Sequence, residues 1–256
     1  MTQPPAPTLD AAALQALARV LSPERLSTYR EPGDDEAAVL ARYVYNQALV
    51  DAFGLPLQVL EVALRNAVDA AGRAAAGKLA GHGGVPSWLD ARPPVLDAAH
   101  AATTAAAREA LRARGAKLTP GRLIAELSFG FWVQLFNVHY DQAAGHRRPG
   151  FRLWTAGALK TAFPNAPPRF RSREALRDRL EVIRVFRNRL AHHEPVFHRD
   201  PAARHLEVVS TLRWLSAPAA EYVAAFDTTA VVLAAGPAPY LARCRALLGP
   251  NNSDRA

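Results

Sequence analysis

The sequence predicts an all-α protein. Three observations carry that expectation: apolar residues recur at helical spacing in most segments, no stretch alternates apolar and polar residues convincingly, and proline and glycine fall where helices start and stop. Half of the 256 residues are apolar, enough to bury a sizeable core. No internal repeat is present.

Taken in order, residues 1–8 are Pro-rich and expected to be disordered. Asp10 to Leu21 can form a short amphipathic helix, and Ser22-Pro23 reads as a fresh helix start. Residues 1–20 are read together as a flexible N-terminal leader, and 21–250 as one helical domain. Asp34, Asp35 and Glu36 place acid at the N-terminus of a helix reaching about Phe53, with Leu40, Tyr43 and Ala48 inward. Gly54 is expected to end it and Pro56 to start the next, in the positions those residues prefer. That helix, Leu57 to about Ala75, carries a stripe of Leu57, Leu60, Leu64 and Val68. Glu61 lies beside the stripe with Arg65 one turn on, so an i,i+4 ion pair is expected there.

The glycines between Gly81 and Trp88, with Arg92, Pro93 and Pro94, mark a loop whose spacing fits neither a P-loop nor a dinucleotide fingerprint. An Ala-rich helix follows, Val95 to Arg114, with few large side chains and an edge position expected. Thr119-Pro120 is a cap with a first-turn proline. It opens an apolar helix through Leu123, Ile124, Phe129, Trp132, Val133, Leu135 and Phe136, with Gly130 suggesting close approach by a neighbour. Its aromatics read as core rather than as a base-stacking platform. His146–Arg152 is a basic loop, Leu153-Trp154 begins a short helix ending near Phe163, and Pro164, Pro167 and Pro168 break the chain. After Pro195 come a charged loop, His198 to Pro201, a helix through Leu206, Val209, Leu212 and Leu215, and two closing Ala-rich helices.

Charge narrows the class of partner. The net charge is +8, with arginine far outnumbering lysine and dense from Arg169 onward: Arg169, Arg171, Arg173, Arg177, Arg179, Arg184, Arg187 and Arg189. Glu174, Asp178 and Glu181 offset part of this, so the segment presents a net basic face suited to a polyanion. Cys244 is the sole cysteine, which excludes a disulfide framework and a thiolate metal cluster and fits a reducing cytoplasm. The sequence shows no signal-peptide pattern and no apolar run of membrane-span length, so no membrane partner is expected.

The densest chemistry lies between Arg184 and Phe197. The apolar stripe there reads Leu176, Leu180, Ile183, Leu190, and Arg187 falls in its middle. A guanidinium at such a position must be paired or must face a ligand. Asn188 and His192 share one helix face, whereas Arg187 and His192 stand roughly 140° apart around the axis. They can meet on one ligand if the helix loosens before Pro195, which disfavours helical backbone at Glu194. The two histidines then lie at a helix C-terminus, whose partial negative charge attracts cations. An arginine that holds an anion beside a histidine that moves protons suits a phosphodiester.

Two stretches together resemble a known family. Leu60–Asn66, then Arg187–His193 far downstream, are similar to the Abi-like (abortive infection) branch of the HEPN ribonuclease superfamily. Tyr43 with Asn46, Leu118–Arg122, Phe129–Trp132, Leu153-Trp154 and Ala162–Pro164 follow in the family's order, so the resemblance spans roughly residues 20 to 200. It implies a HEPN-like helical bundle with additional helices and a metal-independent endoribonuclease with no cofactor. It further implies a cytoplasmic homodimer with the active site at its interface, serving anti-phage defence or acting as a toxin. Carried onto this chain, Arg187 would bind phosphate, Asn188 is the polar residue after it, His192 would be the general acid/base, and His193 fits the longer spacing of the motif. Glu61, Arg65 and Asn66 match a supporting motif, with Arg184 a further support. Arg169, Arg171, Arg173, Arg177 and Arg189 would grip RNA. A regulatory RNA or an antitoxin would be a possible partner.

Two rivals use the same residues. In one, a non-catalytic module binds RNA or a nucleotide through the Arg-rich helix, with salt-sensitive binding and no cleavage. In the other, an interaction protein is neutralised as toxins are by antitoxins, and Arg187 pairs with an internal carboxylate such as Glu61. Metal binding by His192, His193, His198 and His205 matches no common zinc spacing.

Overall fold

The computed structural model describes residues 8–80, 87–90, 95–141 and 153–249. The expected disordered leader, most of the Gly81–Trp88 loop, the Arg92–Pro94 segment and the basic loop His146–Arg152 lie outside the described residues. Within those described, the chain is all-α, with twelve α-helices, three 3-10 turns, no strand, and one isolated bridge between Asp141 and Trp154.

Capping residues set most boundaries. Helix α1 (Ala11–Leu21) begins after Asp10, whose carboxylate accepts from Ala13 N–H at 2.8 Å. Helix α2 (Pro23–Ser27) is capped by the Ser22 hydroxyl, and Pro23 stands where no N–H is needed. Asp35 accepts from Ala38 N–H at 2.7 Å and opens helix α3 (Glu36–Ala80). Helix α4 (Ala98–Ala113) is capped by Asp97 and starts three residues later than the Ala-rich pattern suggests. Thr119 caps helix α5 (Pro120–Glu126), but the long apolar helix expected from there is broken. Leu127 turns to extended backbone, and Ser128 caps a separate helix α6 (Phe129–Gln134). Helix α7 (Ala156–Ala162) is followed by helix α8 (Arg173–Ala191), which ends in the histidine pair. Asp200 accepts from Ala203 N–H at 3.1 Å and opens helix α9 (Pro201–Leu215). Three helices rather than two close the described chain: α10 (Ala217–Ala224), α11 (Thr229–Ala235) and α12 (Ala238–Leu248).

The expected break at Gly54-Pro56 is absent, and α3 runs through both residues. Proline has no N–H for the carbonyl four residues earlier, which here belongs to Ala52. The Thr229 hydroxyl, fully buried, donates to that carbonyl at 3.2 Å. A side chain from far along the sequence thus replaces the missing bond, and the helix has no reason to stop. The continuous helix corrects a second expectation, since by length and composition alone Glu36–Gly77 could cross a membrane; a third of its most apolar window is buried within the protein.

The chain divides into two compact units where the sequence suggests one domain from 21 to 250. The first comprises Met1–Leu55, Phe186–His205 and Asp227–Ala256. Its core gathers Leu26, Tyr29, Val39, Leu40, Ala41, Cys244 and Leu248, and Leu14, Leu17, Ala18 and Leu21 pack against it. The α1 segment is therefore a docked helix, not part of a flexible leader. On α3 the inward residues are Tyr45 and Leu49 beside Leu40, where Tyr43 and Ala48 were expected; the latter two are half-buried. Phe53 meets Phe186 edge-on at 4.9 Å.

The second unit comprises Pro56–Val185 and Leu206–Phe226. Leu60, Leu64 and Val68 are fully buried, as their spacing predicts, while Leu57 is half-buried. Close approach occurs at Gly72, not Gly130: a Cβ on Gly72 would sit 2.2 Å from the Trp88 ring, whereas one on Gly130 would make only ordinary contacts. Trp88 Nε1 donates to buried Asp69 at 2.9 Å, which fixes the ring over the glycine. The aromatics of α6 and its flank are core, with Trp132 and Phe136 fully buried and Trp154 stacked on Phe136 at 4.4 Å. On α9 the inward residues include Val208, Thr211, Leu212, Trp214 and Leu215, while Val209 is half-buried and Leu206 points outward at 68% exposure.

Candidate active site

The apolar stripe of α8 is Leu176, Leu180, Ile183, Phe186 and Leu190, all buried. Helical spacing allows a step of three or four after Ile183, and the chain takes the step of three. Phe186, 3% exposed, therefore fills the position that the sequence assigns to Arg187. Arg187 flanks the stripe, half-buried, and Asn188 is half-buried beyond it.

The helix does not loosen between Arg187 and His192. His192 N–H keeps its helical bond to the Asn188 carbonyl at 3.0 Å, so the two side chains leave the axis roughly 140° apart. Beyond it the chain closes a Schellman turn: Glu194 N–H donates to the Arg189 carbonyl at 2.9 Å and His193 N–H to Leu190 at 3.1 Å. His193 occupies the left-handed position that usually takes glycine, with φ of 54°. Both imidazoles are exposed.

Side-chain hydrogen bonds within the first unit, two of them buried, hold this turn. The His193 carbonyl accepts from the Tyr29 hydroxyl at 3.3 Å and from an Arg25 guanidinium nitrogen at 3.1 Å. Asn46, 2% exposed, donates to the Glu194 carbonyl at 3.1 Å and to the Tyr29 oxygen at 3.3 Å. Its own oxygen accepts from Val196 N–H at 2.7 Å. In the sequence Asn46 stands out only by its order among the motif blocks; an amide inside the apolar face of α3 is the residue-level signal that it has a structural task. Burial raises the Tyr29 phenol above its ordinary pKa, with Tyr43 adding to the effect and Arg25 and Asn46 opposing it, so it stays a donor. Burial, with Arg199 and Arg189 nearby, holds His198 below the ordinary histidine value, against Glu31.

The expected RNA-gripping arginines divide by what they hold. In the first unit Arg189 pairs with Glu194 at 2.7 Å. In the second, Arg173 Nε donates to Asp141 at 2.9 Å, and Arg171 Nε to the Ala166 carbonyl at 2.8 Å. Arg169 lies over the Phe170 ring at 5.0 Å, and exposed Arg177 stands 3.9 Å from Asp178. The net basic row expected along this helix is therefore interrupted by intramolecular pairing. Arg184 makes a two-pronged contact with Glu181, and that hydrogen bond, outweighing burial, holds the Glu181 carboxyl below its usual range. Glu61 and Arg65 pair at 3.6 Å as their spacing predicts, and Asn66 is exposed. Glu61, Arg65, Asn66 and Arg184 belong to the second unit and the Arg187–His193 set to the first.

Among the described residues no group of three or more histidine, cysteine or acidic side chains is placed to hold a metal ion. His205 is engaged by Asp227. No family model, curated protein or solved structure matches the chain.

Proposed function

We propose that this chain is a metal-independent endoribonuclease of the Abi-like HEPN type, acting on RNA in anti-phage defence or as a toxin. One observation supports the reading above others: a helix end carries Arg187 and Asn188 and then, at a turn held by side-chain hydrogen bonds from Arg25, Tyr29 and Asn46, two exposed imidazoles. In the proposed reaction the ribose 2′-oxygen attacks the adjacent phosphorus and the bond to the 5′-oxygen breaks. A histidine takes the 2′ proton, a protonated histidine gives one to the departing 5′-oxygen, and arginine stabilises the charge on the phosphoryl oxygens. The products are a 2′,3′-cyclic phosphate and a 5′-hydroxyl; DNA, lacking the 2′-hydroxyl, is inert to this route. Because Arg187 and His192 diverge on one helix, a homodimer that supplies the second arginine and histidine is part of the proposal.

The test is cleavage of bacterial RNA in EDTA by wild type, Arg187→Ala and His192→Ala, each first shown to fold like the parent. Cleavage by wild type alone, leaving cyclic phosphate ends, is the expected result. Salt-sensitive RNA binding without cleavage would instead support the binding module. Neither binding nor cleavage would support the antitoxin-neutralised interaction protein.

A further inference from the structure

The side chains that hold the histidine turn come from the opposite end of the sequence. Tyr29 precedes α3, Asn46 lies within it, and both are almost wholly buried. Asn46 donates to the carbonyl of Glu194 and accepts from the N–H of Val196, so one amide spans Pro195 on both sides. Its second contact, to the Tyr29 oxygen, extends to the His193 carbonyl through the phenol proton. Backbone groups of three residues around one proline are thus tied to a two-residue relay. The local Schellman turn puts His193 in the left-handed conformation, and a non-glycine residue there gains from support by its surroundings.

We infer that Asn46 and Tyr29 are positioning residues, which set the direction of the His193 imidazole, and steady the helix end that carries His192, by fixing the backbone from His193 to Val196. Their catalytic consequence rests on the ribonuclease reading; their effect on the turn does not. Neither side chain reaches a reacting atom. Their role is to keep two exposed rings on a backbone that would otherwise choose among several conformations, which shortens the search for a productive arrangement.

The experiment uses the full chain labelled with 13C-histidine and 15N, as wild type, Tyr29→Phe and Asn46→Ala. Tyr29→Phe removes only the hydroxyl and leaves the ring contacts with Tyr43 and Phe197, so it is the variant least able to unfold the unit. Ring resonances are assigned with His192→Gln and His193→Gln. Under conditions where circular dichroism shows each variant folded, the His192 and His193 ring shifts are expected to move toward those of the urea-unfolded chain. The Glu194 and Val196 amides should exchange at least about tenfold faster, while amides elsewhere in α3 keep their protection. In the cleavage assay kcat should fall on the order of 10- to 100-fold with KM within about twofold. Unchanged ring shifts and exchange in a folded Tyr29→Phe protein would overturn the inference, whatever Asn46→Ala does. A wild type that cleaves no RNA counts against the ribonuclease reading alone, and the shifts and exchange rates then decide the positioning role by themselves.

Discussion

The Tyr29 hydroxyl lies 3.3 Å from the carbonyl of His193, a residue whose φ of 54° is one that glycine adopts most readily. The bond is made to the backbone, so the turn can be separated from the imidazole by mutation. His193→Gly should keep the bond and relieve the left-handed penalty, raising stability by about 1 kcal/mol. A urea melt checks it. Lower stability would mean that the imidazole itself contributes to the fold.

The Ala52 carbonyl gives a second expectation. Thr229→Val leaves it without its donor beside Pro56, at a cost of about 1–3 kcal/mol for an unsatisfied buried group. Pro56→Ala restores an N–H to that carbonyl, so the penalty of Thr229→Val should shrink in the Pro56→Ala background. A double-mutant cycle by denaturant unfolding measures this coupling. Strict additivity would show that Thr229 acts by some other contact.

Gly72→Ala places a methyl where the Trp88 ring already sits. The ring is tied to Asp69 and has little freedom to retreat, so a loss of about 1–3 kcal/mol is expected from overpacking. Tryptophan fluorescence during unfolding follows it. Gly130→Ala should be near neutral by comparison, since a Cβ there meets only ordinary contacts.

Acid stability has a group whose sign is clear. Burial pushes the Asp227 carboxyl up, but contacts with Thr229, whose N–H donates at 2.8 Å, and with the His205 ring outweigh it and hold it below the ordinary 3.8. Its contribution is fully present above that ordinary value and is lost as pH falls through the lowered folded value. Asp227→Asn should therefore be less stable than wild type at neutral pH, with the gap closing in strong acid. Acid titration of the two proteins, followed by circular dichroism, reads it.

Much of the helical framework is legible in the sequence because caps are local. Asp10, Ser22 and Thr119 each announce a helix by bonding an N–H three residues on, and each does so in the structure. What is illegible is set by distant partners. Pro56 reads as a boundary because the hydroxyl that excuses it belongs to Thr229. The registry of α8 is ambiguous because a step of three to Phe186 and a step of four to Arg187 both satisfy helical spacing after Ile183. At the candidate site, the arginine and histidines are visible as chemistry, and Asn46 is nearly invisible as their support, because its bonds go to backbone groups about 150 positions away.

The single thiol of this protein is Cys244, 7% exposed in the core of the first unit and made less acidic by burial. A thiolate-seeking reagent meets no reactive target while that core is closed. The chain thereby carries its own chemical clock: the rate at which one sulfur becomes alkylated reports how often the core beneath the N-terminal helices comes apart, with no label or substitution added.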